Sequence, residues 1–166
     1  MASTSPQTPW TRLCLNLRAS LLAGMAGLFL VACDVPPHAK LPWLTDPEAA
    51  REQAVQRNLP LLMLFTGSDW CGPCKILNSH VLSTVPFSQY ASSNLVLLKV
   101  DFPRRPPLPR AEADRNQRLQ EGYAIQGYPT LVLLDPQGRE LAREVGLRSA
   151  SPADLAARLE EFKNRK

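Results

Sequence analysis

The stretch from Pro60 to Lys75, PLLMLFTGSDWCGPCK, decides how this chain folds, because an apolar run passes directly into a pair of cysteines. The run between Pro60 and Gly67 has the length and composition of a β-strand that is buried on both faces. Cys71 and Cys74 follow at the point where we expect a helix to begin. Three uses of these two thiols are open: a structural disulfide, a metal site, or a pair that opens and closes in redox turnover.

The rest of the chain predicts an alternation of helices and strands around that strand. Thr45-Asp46-Pro47-Glu48 has the layout of a capping box with a proline in the first turn. Helices are predicted by hydrophobic periodicity and end signals, and strands by short apolar runs between turn residues. The predicted elements are a short strand at Trp43-Leu44, a helix over 45–58, the strand over 60–67, a helix containing Ile76, Leu77 and Val81, a strand over 94–102, a helix over 110–122, a hairpin of 129–135 with 140–146, and a helix over 151–164. This order predicts an α/β fold, a central mixed β-sheet flanked by helices.

The first 33 residues differ from the remainder and have the layout of a secretory signal. Arg12 and Arg18 precede an uncharged apolar segment that is shorter than the roughly 20 residues of a membrane-spanning helix. The segment ends in Leu-Val-Ala-Cys at residues 30–33, which is similar to a bacterial lipobox and predicts a lipid anchor on Cys33. An ordinary signal peptide or an uncleaved anchor is the alternative. Both interpretations place the domain outside the cytoplasm, on the periplasmic face of a bacterial membrane if the anchor is a lipid.

These boundaries predict three parts. Residues 1–33 are the signal peptide with its lipobox, and residues 34–40, DVPPHAK, form a polar, proline-bearing tether. Residues 41–166 form a single folded domain, which is the size expected for one hydrophobic core. Asp34 directly after Cys33 is similar to an inner-membrane retention signal, so the inner membrane is the favoured location.

The cysteine count favours redox chemistry over a structural role. Of four cysteines, Cys14 is lost with the signal and Cys33 is the anchor, so Cys71 and Cys74 are left in the domain. A bridge across so short a loop adds little stability, because the stabilisation grows with the number of residues enclosed. A metal (copper) carrier or chaperone that uses the pair, with His80 as a further ligand, is the alternative function. Structural zinc takes about four ligands, and one CxxC supplies two.

Charge argues against a nucleic-acid partner. The chain carries 19 lysines and arginines against 15 acids, a net charge of +4, and setting aside residues 1–33 lowers it to +2 because Arg12 and Arg18 are removed. The remaining basic residues are scattered among acids, apart from the pair Arg104-Arg105. This is not the clustered basic surface of a nucleic-acid-binding domain.

Two motifs carry a resemblance to a known family. WCGPCK after a buried strand, together with GYPT at residues 127–130 opening a later strand, resembles the thioredoxin family across residues 41–166. The resemblance implies a thioredoxin-like three-layer fold and a thiol–disulfide oxidoreductase with no cofactor and no metal. The Gly-Pro dipeptide between the cysteines is similar to that of the reducing members. A reductase of protein disulfides outside the cytoplasm would need electrons from a membrane partner.

The resemblance also implies roles for the residues around the thiols. Cys71, at a helix N-terminus where backbone N–H groups favour a thiolate, is expected to be the exposed nucleophile, and Cys74 the more enclosed resolving thiol, so that the two form the redox disulfide. Gly72 allows close approach of a partner chain, and Pro73 suits the first turn of a helix. Trp70 is expected to be a partly exposed platform beside the pair.

The GYPT motif supplies the expected substrate-binding residues. In the family its proline is cis, so Pro129 is expected to follow a cis bond and to pack beside the thiols. The backbone of Tyr128 would then be free to pair with an extended protein substrate that carries a thiol or disulfide. Since cis bonds occur at about one in twenty X-Pro positions, this expectation comes from the resemblance.

One departure from the family concerns proton transfer. Thioredoxins have a buried acid six positions before the first cysteine, and the matching residue here is Phe65. The proton of Cys74 must therefore move to another group. Asp69, Lys75 and Lys99 are possible, but charged residues of this kind are mostly solvated, so the role is left unassigned.

A second departure is the segment FPRRPPLPR at residues 102–110, which is longer and richer in proline than a compact thioredoxin needs. It could form a stiff basic lip that selects a partner, or a solvated connection in polyproline conformation. The solvated connection is the preferred interpretation.

Overall fold

The computed structural model describes residues 41–149 and 151–164. The predicted signal peptide, the lipid anchor at Cys33 and the tether over 34–40 lie outside these residues and stay predictions. No helix of the described part is both long and apolar enough to cross a membrane. The described elements are α1 (Pro47–Arg57), β1 (Leu61–Thr66), α2 (Gly72–Leu77), a π-helical segment (Asn78–Leu82), α3 (Val85–Asn94), β2 (Val96–Asp101), α4 (Arg110–Gly122), β3 (Thr130–Leu134), β4 (Glu140–Val145) and α5 (Pro152–Asn164).

The four strands form one mixed sheet in the order β2-β1-β3-β4. β1 and β2 are parallel, with Phe65 opposite Val100, whereas β3 is antiparallel to β1 and to β4. The predicted α/β class, the mixed sheet and the hairpin are thereby confirmed. The strand predicted at Trp43-Leu44 is reduced to one bridge between Leu44 and Leu98, because the chain pairs with β2 for a single residue before α1 begins.

Two details of the predicted helices are wrong. Asp46, and not Thr45, caps α1, because its carboxylate accepts the backbone N–H groups of Glu48 and Ala49. Helix α3 was not predicted at all. The Thr84 hydroxyl caps it by accepting the N–H of Phe87 at 3.5 Å, and proline in its first turn supports the same start.

The core divides into two apolar clusters, one on each face of the sheet. Alternate residues of β1 enter different clusters: Leu62 and Leu64 pack with α2, α3 and α5, while Phe65 packs with α1 and α4. All six residues of β1 are buried. Helices therefore cover both faces of the sheet, which confirms the three-layer arrangement and leaves the end of β1 as the place where Cys71 emerges.

Candidate active site

The two cysteines lie at the junction of β1 and α2 and are joined by a disulfide. Cys71 is the N-cap of α2, and its Sγ accepts the backbone N–H of Cys74 at 3.2 Å. The Cys71 N–H donates to the carbonyl of Gly67 at 2.9 Å, so the turn that follows β1 holds the cap in place. Pro73 lies in the first turn, where a backbone N–H would have no partner within the helix, so its missing N–H costs no hydrogen bond.

Exposure does not separate the two cysteines in the way the sequence suggested. Cys71 is 6% exposed and Cys74 is 4% exposed, so both are buried in the disulfide-bonded state. The expectation of an exposed Cys71 is wrong for this state, because its sulfur turns inward to bond with Cys74. What distinguishes Cys71 is its position at the cap, with a backbone N–H directed at its sulfur. A Cβ at Gly72 would meet nothing within 4 Å, so the surface beside the cap is open.

Trp70 is a platform beside the disulfide and is held by contacts from two directions. Its side chain is 37% exposed, and its Nε1–H donates to the carbonyl of Phe102 at 2.8 Å. Its ring meets that of Tyr128 edge-on, with centroids 5.7 Å apart. Gly67 lies beneath the indole, where an added Cβ would come within 2.3 Å of Trp70 Cε2. The absence of a side chain at position 67 therefore lets the indole lie against the backbone.

The Tyr128–Pro129 bond is cis, as the resemblance implies. Pro129 is buried, and its carbonyl accepts the N–H of Gly146 at 2.8 Å. The Tyr128 hydroxyl donates to Gln120, and burial raises the pKa of this phenol. The backbone N–H and the carbonyl of Tyr128 have no hydrogen-bond partner among the described residues. That backbone is available to pair with another chain.

The start of the proline-rich segment packs against the site. The Asp69 carboxylate accepts the backbone N–H of Arg104 at 3.0 Å and that of Arg105 at 2.9 Å. The guanidinium of Arg104 lies 4.4 Å from the centroid of the Trp70 ring, and the Phe102 ring lies 5.4 Å from that of Tyr128. The preferred interpretation of this segment as a solvated connection agrees with the exposure of Arg104 and Arg105, but these bonds also join residues 102–105 to the disulfide-bearing turn.

The environment of Asp69 stabilises its charged form. Desolvation acts to raise the pKa of the Asp69 carboxyl, but the N–H groups of Arg104 and Arg105 and the charge of Lys75 outweigh it and hold the pKa below its usual value. Asp69 is thus a charged acceptor in the turn and stays so at neutral pH.

No side chain considered for proton transfer forms a hydrogen bond or ion pair with the cysteines in the described structure, and Lys75 bonds to Cys71 through its backbone N–H alone. Phe65 is fully buried, with its ring centroid 6.2 Å from that of Tyr123. Lys99 pairs with Asp101 at 3.4 Å, and Asp69 is occupied by the Arg104 and Arg105 amides. The acceptor of the Cys74 proton stays unassigned.

The metal alternative gains no support from the neighbours of the pair. Within residues 41–149 and 151–164, His, Cys, Asp and Glu side chains nowhere form a group of three that could hold a metal ion. His80 lies in the π-helical segment and lines a surface cleft with Ile76 and Leu147.

Comparison with known proteins identifies the family. A family model described as thioredoxin-like matches residues 42–136, which is more than half of the chain. This chain belongs to the thioredoxin-like family. The match includes both cysteines and Pro129.

Curated thioredoxin-like relatives carry names from disulfide chemistry. The disulfide bond reductase DsbH of Chlamydia pneumoniae is 36% identical over 105 residues, which cover 63% of this chain and 63% of that protein. The thiol:disulfide interchange protein DsbD of Pasteurella multocida is 32% identical over 107 residues, covering 63% of this chain and 17% of DsbD. The chain thus spans less than two thirds of the length of these curated relatives.

Solved thioredoxin-like structures have the same fold. A structure of a DsbH oxidoreductase superposes with a TM-score of 0.71 at 30% identity, covering 84% of this chain and 96% of the other. A thioredoxin from Thermus thermophilus gives a TM-score of 0.59 at 25% identity, covering 75% of this chain and 88% of the other.

The structure brings together the residues predicted from the motifs and adds others that the sequence reasoning missed. Cys71 and Cys74 are joined by the disulfide, Trp70 directly precedes Cys71, and its ring contacts that of Tyr128, the residue before the cis Pro129. The expected packing of Pro129 beside the thiols stays a prediction. The missed residues are Gly67, Asp69 in its role as an anchor for the segment, Phe102, Arg104 and Gly146. The unusual length and proline content of residues 102–110 was the signal for three of them. Gly67 could have been found from its position between a buried strand and a tryptophan.

Proposed function

We propose that this chain is a thiol–disulfide oxidoreductase that reduces disulfides of exported proteins, with Cys71 as the nucleophile and Cys74 as the resolving thiol. The observation that carries the proposal is the bond from the Cys74 N–H to the Cys71 sulfur at the start of α2, together with the disulfide between the two residues. A hydrogen-bond donor directed at the sulfur favours the thiolate, which is the form that attacks a disulfide.

The proposed reaction is a pair of exchanges. In the reduced protein, the Cys71 thiolate attacks one sulfur of a substrate disulfide, forms a mixed disulfide, and releases the other substrate sulfur, which takes up a proton. Cys74 then loses its proton and attacks Cys71, which releases the second substrate thiol. The substrate gains two electrons and two protons, and the protein is left as the Cys71–Cys74 disulfide. A thiol donor must reduce it again before the next turnover.

Substrate binding is proposed for the surface formed by Trp70 and the Tyr128–Pro129 step. The unpaired backbone of Tyr128 offers a donor and an acceptor to an extended segment of substrate. The exposed part of Trp70 supplies apolar contact area next to the disulfide. Gly72, with open space beside it, leaves room for the approaching chain.

Reduction is the proposed direction. The Gly72-Pro73 dipeptide resembles that of reducing thioredoxins, and one relative is named a disulfide bond reductase. A reductase outside the cytoplasm needs electrons from within, so a membrane-embedded thiol–disulfide donor is the proposed partner. The protein is placed on the periplasmic face of the inner membrane, anchored through a lipid on Cys33.

The catalytic assignment is tested with the full chain, a protein disulfide substrate and dithiothreitol as the electron source. The wild type is expected to accelerate reduction, and Cys71→Ser to abolish the acceleration. Cys74→Ser is expected to accumulate a mixed disulfide through Cys71, because the resolving step is lost. Full activity of Cys71→Ser would contradict the assignment, as would mixed disulfides that form through another cysteine.

The proposed anchor is tested separately in cells. Cys33→Ala is expected to prevent labelling with a radioactive fatty acid and to leave the precursor unprocessed. Cys14→Ala is the matched control and should change neither. A processed, unlabelled wild-type protein would contradict the lipid anchor without affecting the redox assignment.

A further inference from the structure

The segment Phe102–Arg110 borders the disulfide-bearing turn on the side of Trp70. The Phe102 carbonyl accepts the indole N–H of Trp70, and the Arg104 guanidinium lies over the indole ring at 4.4 Å. Asp69, two residues before Cys71, holds the backbone of Arg104 and Arg105 by their amides. These contacts give the two arginines a defined position beside the exposed face of the site.

The side chains of Arg104 and Arg105 are exposed and carry no counter-charge. Six lysine or arginine side chains elsewhere in the described residues are paired with an acid, Arg139 with Asp135 among them. No carboxylate of the described chain forms an ion pair with Arg104 or Arg105.

The acids near the turn offset only part of this positive charge, since Asp101 accepts the Ser68 N–H and pairs with Lys99, and Asp69 forms no ion pair with either arginine. The Asp69 carboxylate is directed at the backbone amides of the two arginines and away from their guanidinium groups. Lys75, in the last turn of α2, is exposed and also forms no ion pair in the described structure. The rim of the site beside Trp70 therefore carries a surplus of positive charge.

From this arrangement, and resting on the proposed function, we infer that Arg104 and Arg105 are a second binding element that selects polypeptide substrates with Asp or Glu close to their disulfide. The Arg104 guanidinium lies over the Trp70 ring, and no hydrogen bond or ion pair of the described residues occupies its N–H groups. A carboxylate can accept two such N–H groups at once, which fixes its orientation. The Asp69 bonds hold the segment in place before substrate arrives, so less ordering is needed on binding.

A polypeptide is the occupant favoured by the position of the arginines. The Trp70 ring has Arg104 over it and lies 5.7 Å from the Tyr128 ring, so the basic rim and Tyr128 with its unpaired backbone both border one indole. A substrate segment that pairs with Tyr128 and presents its disulfide to Cys71 can reach both. An exposed ion pair changes affinity modestly, so the expected preference for an acidic substrate is roughly three- to tenfold in kcat/KM.

The test compares three disulfide-containing peptides that are identical except for flanking residues: Asp and Glu, Ser, or Lys. The full chain is assayed with dithiothreitol at low salt and again at about 0.5 M NaCl, where exposed charges are screened. The variant is Arg104→Glu with Arg105→Glu, and Arg104→Gln with Arg105→Gln is the milder form. The matched control is Arg51→Glu with Arg57→Glu: both residues are exposed on α1, and Arg57 lies at the opposite end of β1 from Cys71.

The inference requires that the wild type and the control prefer the acidic peptide, that salt removes the preference, and that the Glu variant prefers the Lys peptide to the acidic one, each ratio being measured within one protein. Equal rates for the three peptides in the wild type, or an unchanged preference in the variant, would overturn the inference and leave the proposed function standing. If the wild type reduced none of the three peptides, that result would instead count against the proposed function. A further measurement is binding of the wild type and the variant to vesicles with about 30% anionic lipid. If the variant lost vesicle binding and kept the peptide preference of the wild type, the arginines would be assigned to a lipid surface and the inference overturned.

Discussion

Two segments border the disulfide, and they are held in different ways. The turn Gly67–Cys74 has bonds of its own between residues three or four positions apart, from the Cys71 N–H to Gly67 and from the Cys74 N–H to the Cys71 sulfur. Its other bonds are long-range: the Ser68 N–H donates to Asp101, and Trp70 and Asp69 bond to the segment Phe102–Arg110 across 32 to 36 positions. The cap around Cys71 is therefore specified by nearby residues, whereas the position of the segment needs a folded sheet to bring its partners near.

The comparison shows how a turn of the thioredoxin-like family can be combined with a further segment, here residues 102–110. The turn holds the Cys71 sulfur, the Cys74 N–H donor and Pro73 within a few residues. The environment that favours the thiolate is therefore formed by the turn itself. The segment adds two arginines at the rim and leaves the geometry of the thiols to the turn. Substitutions on the two sides should therefore affect different properties.

The largest expected effect contrasts two phenylalanines. Phe65 in β1 is fully buried, and Phe65→Ala should lower the free energy of unfolding by about 3–5 kcal/mol. Phe102 is only partly buried, and Phe102→Ala should lower it by about 1–2 kcal/mol, since less of its surface leaves water on folding. Urea denaturation of both variants measures the difference. Equal losses would show that the segment is as much part of the core as β1 is.

The next effect compares two glycines of the turn. Gly67→Ala places a Cβ within 2.3 Å of the Trp70 ring, so it should cost about 1–3 kcal/mol and displace the indole. Gly72→Ala meets open space and is the matched control, with a change expected within about 0.5 kcal/mol. Denaturation gives the energies, and the NMR signal of the Trp70 indole N–H, identified by its loss in Trp70→Phe, reports the displacement. If Gly67→Ala left the free energy of unfolding unchanged, the indole would be able to move without loss of stability.

A smaller effect tests the link between the two segments. Trp70→Phe keeps an aromatic ring and removes the Nε1–H that donates to Phe102, so we expect a loss of about 1 kcal/mol. Asp69→Asn weakens the second attachment of the same segment. Because both changes release one segment, the double variant should lose less stability than the two single losses combined. Strict additivity would contradict the view that Trp70 and Asp69 hold the segment as one unit.

The smallest effect is a pH dependence of the segment. The pKa of Asp69 in the folded protein is lowered from its ordinary value of 3.8, so the stabilisation by its charge is complete above the unfolded value and is lost as pH falls through the folded value. The NMR signal of the Trp70 indole N–H should therefore be constant from pH 7 to about 5 and shift below about pH 4. In Asp69→Asn the part of this shift that comes from Asp69 should be absent. An identical acid shift in both proteins would assign it to another group.

Much of the fold could be predicted because it depends on local patterns. β1 is an apolar run that ends in a threonine, β2 is apolar apart from Lys99 and its last residue Asp101, and the Pro136-Gln137-Gly138 turn between two predicted strands indicates the hairpin. Helix α3 escaped prediction because its sequence, VPFSQYASSN, carries few strong helix formers and is held by the burial of Phe87 and Ala91. Packing against the sheet there outweighs a weak local preference.

The site was predictable to the extent that its residues carry motifs. Cys71, Cys74 and Pro129 were found from WCGPC and GYPT, and the structure brings them to one end of the sheet. The burial of Cys71 and the contacts of Arg104 were not predicted, since each depends on where a distant side chain or sulfur lies in space. Sequence spacing carries no such information.

The sequence by itself determined the class of fold and the helix cap that carries Cys71, because backbone preferences and short-range hydrogen bonds act within a few residues of the chain. Only the tertiary structure decided that residues 102–105 lie against Trp70. That arrangement requires the parallel pairing of β1 with β2, which brings Asp101 opposite Thr66 and so carries the start of the segment to the edge where the disulfide lies. A contact across more than thirty residues forms because the sheet has already met the entropic cost of closing that loop.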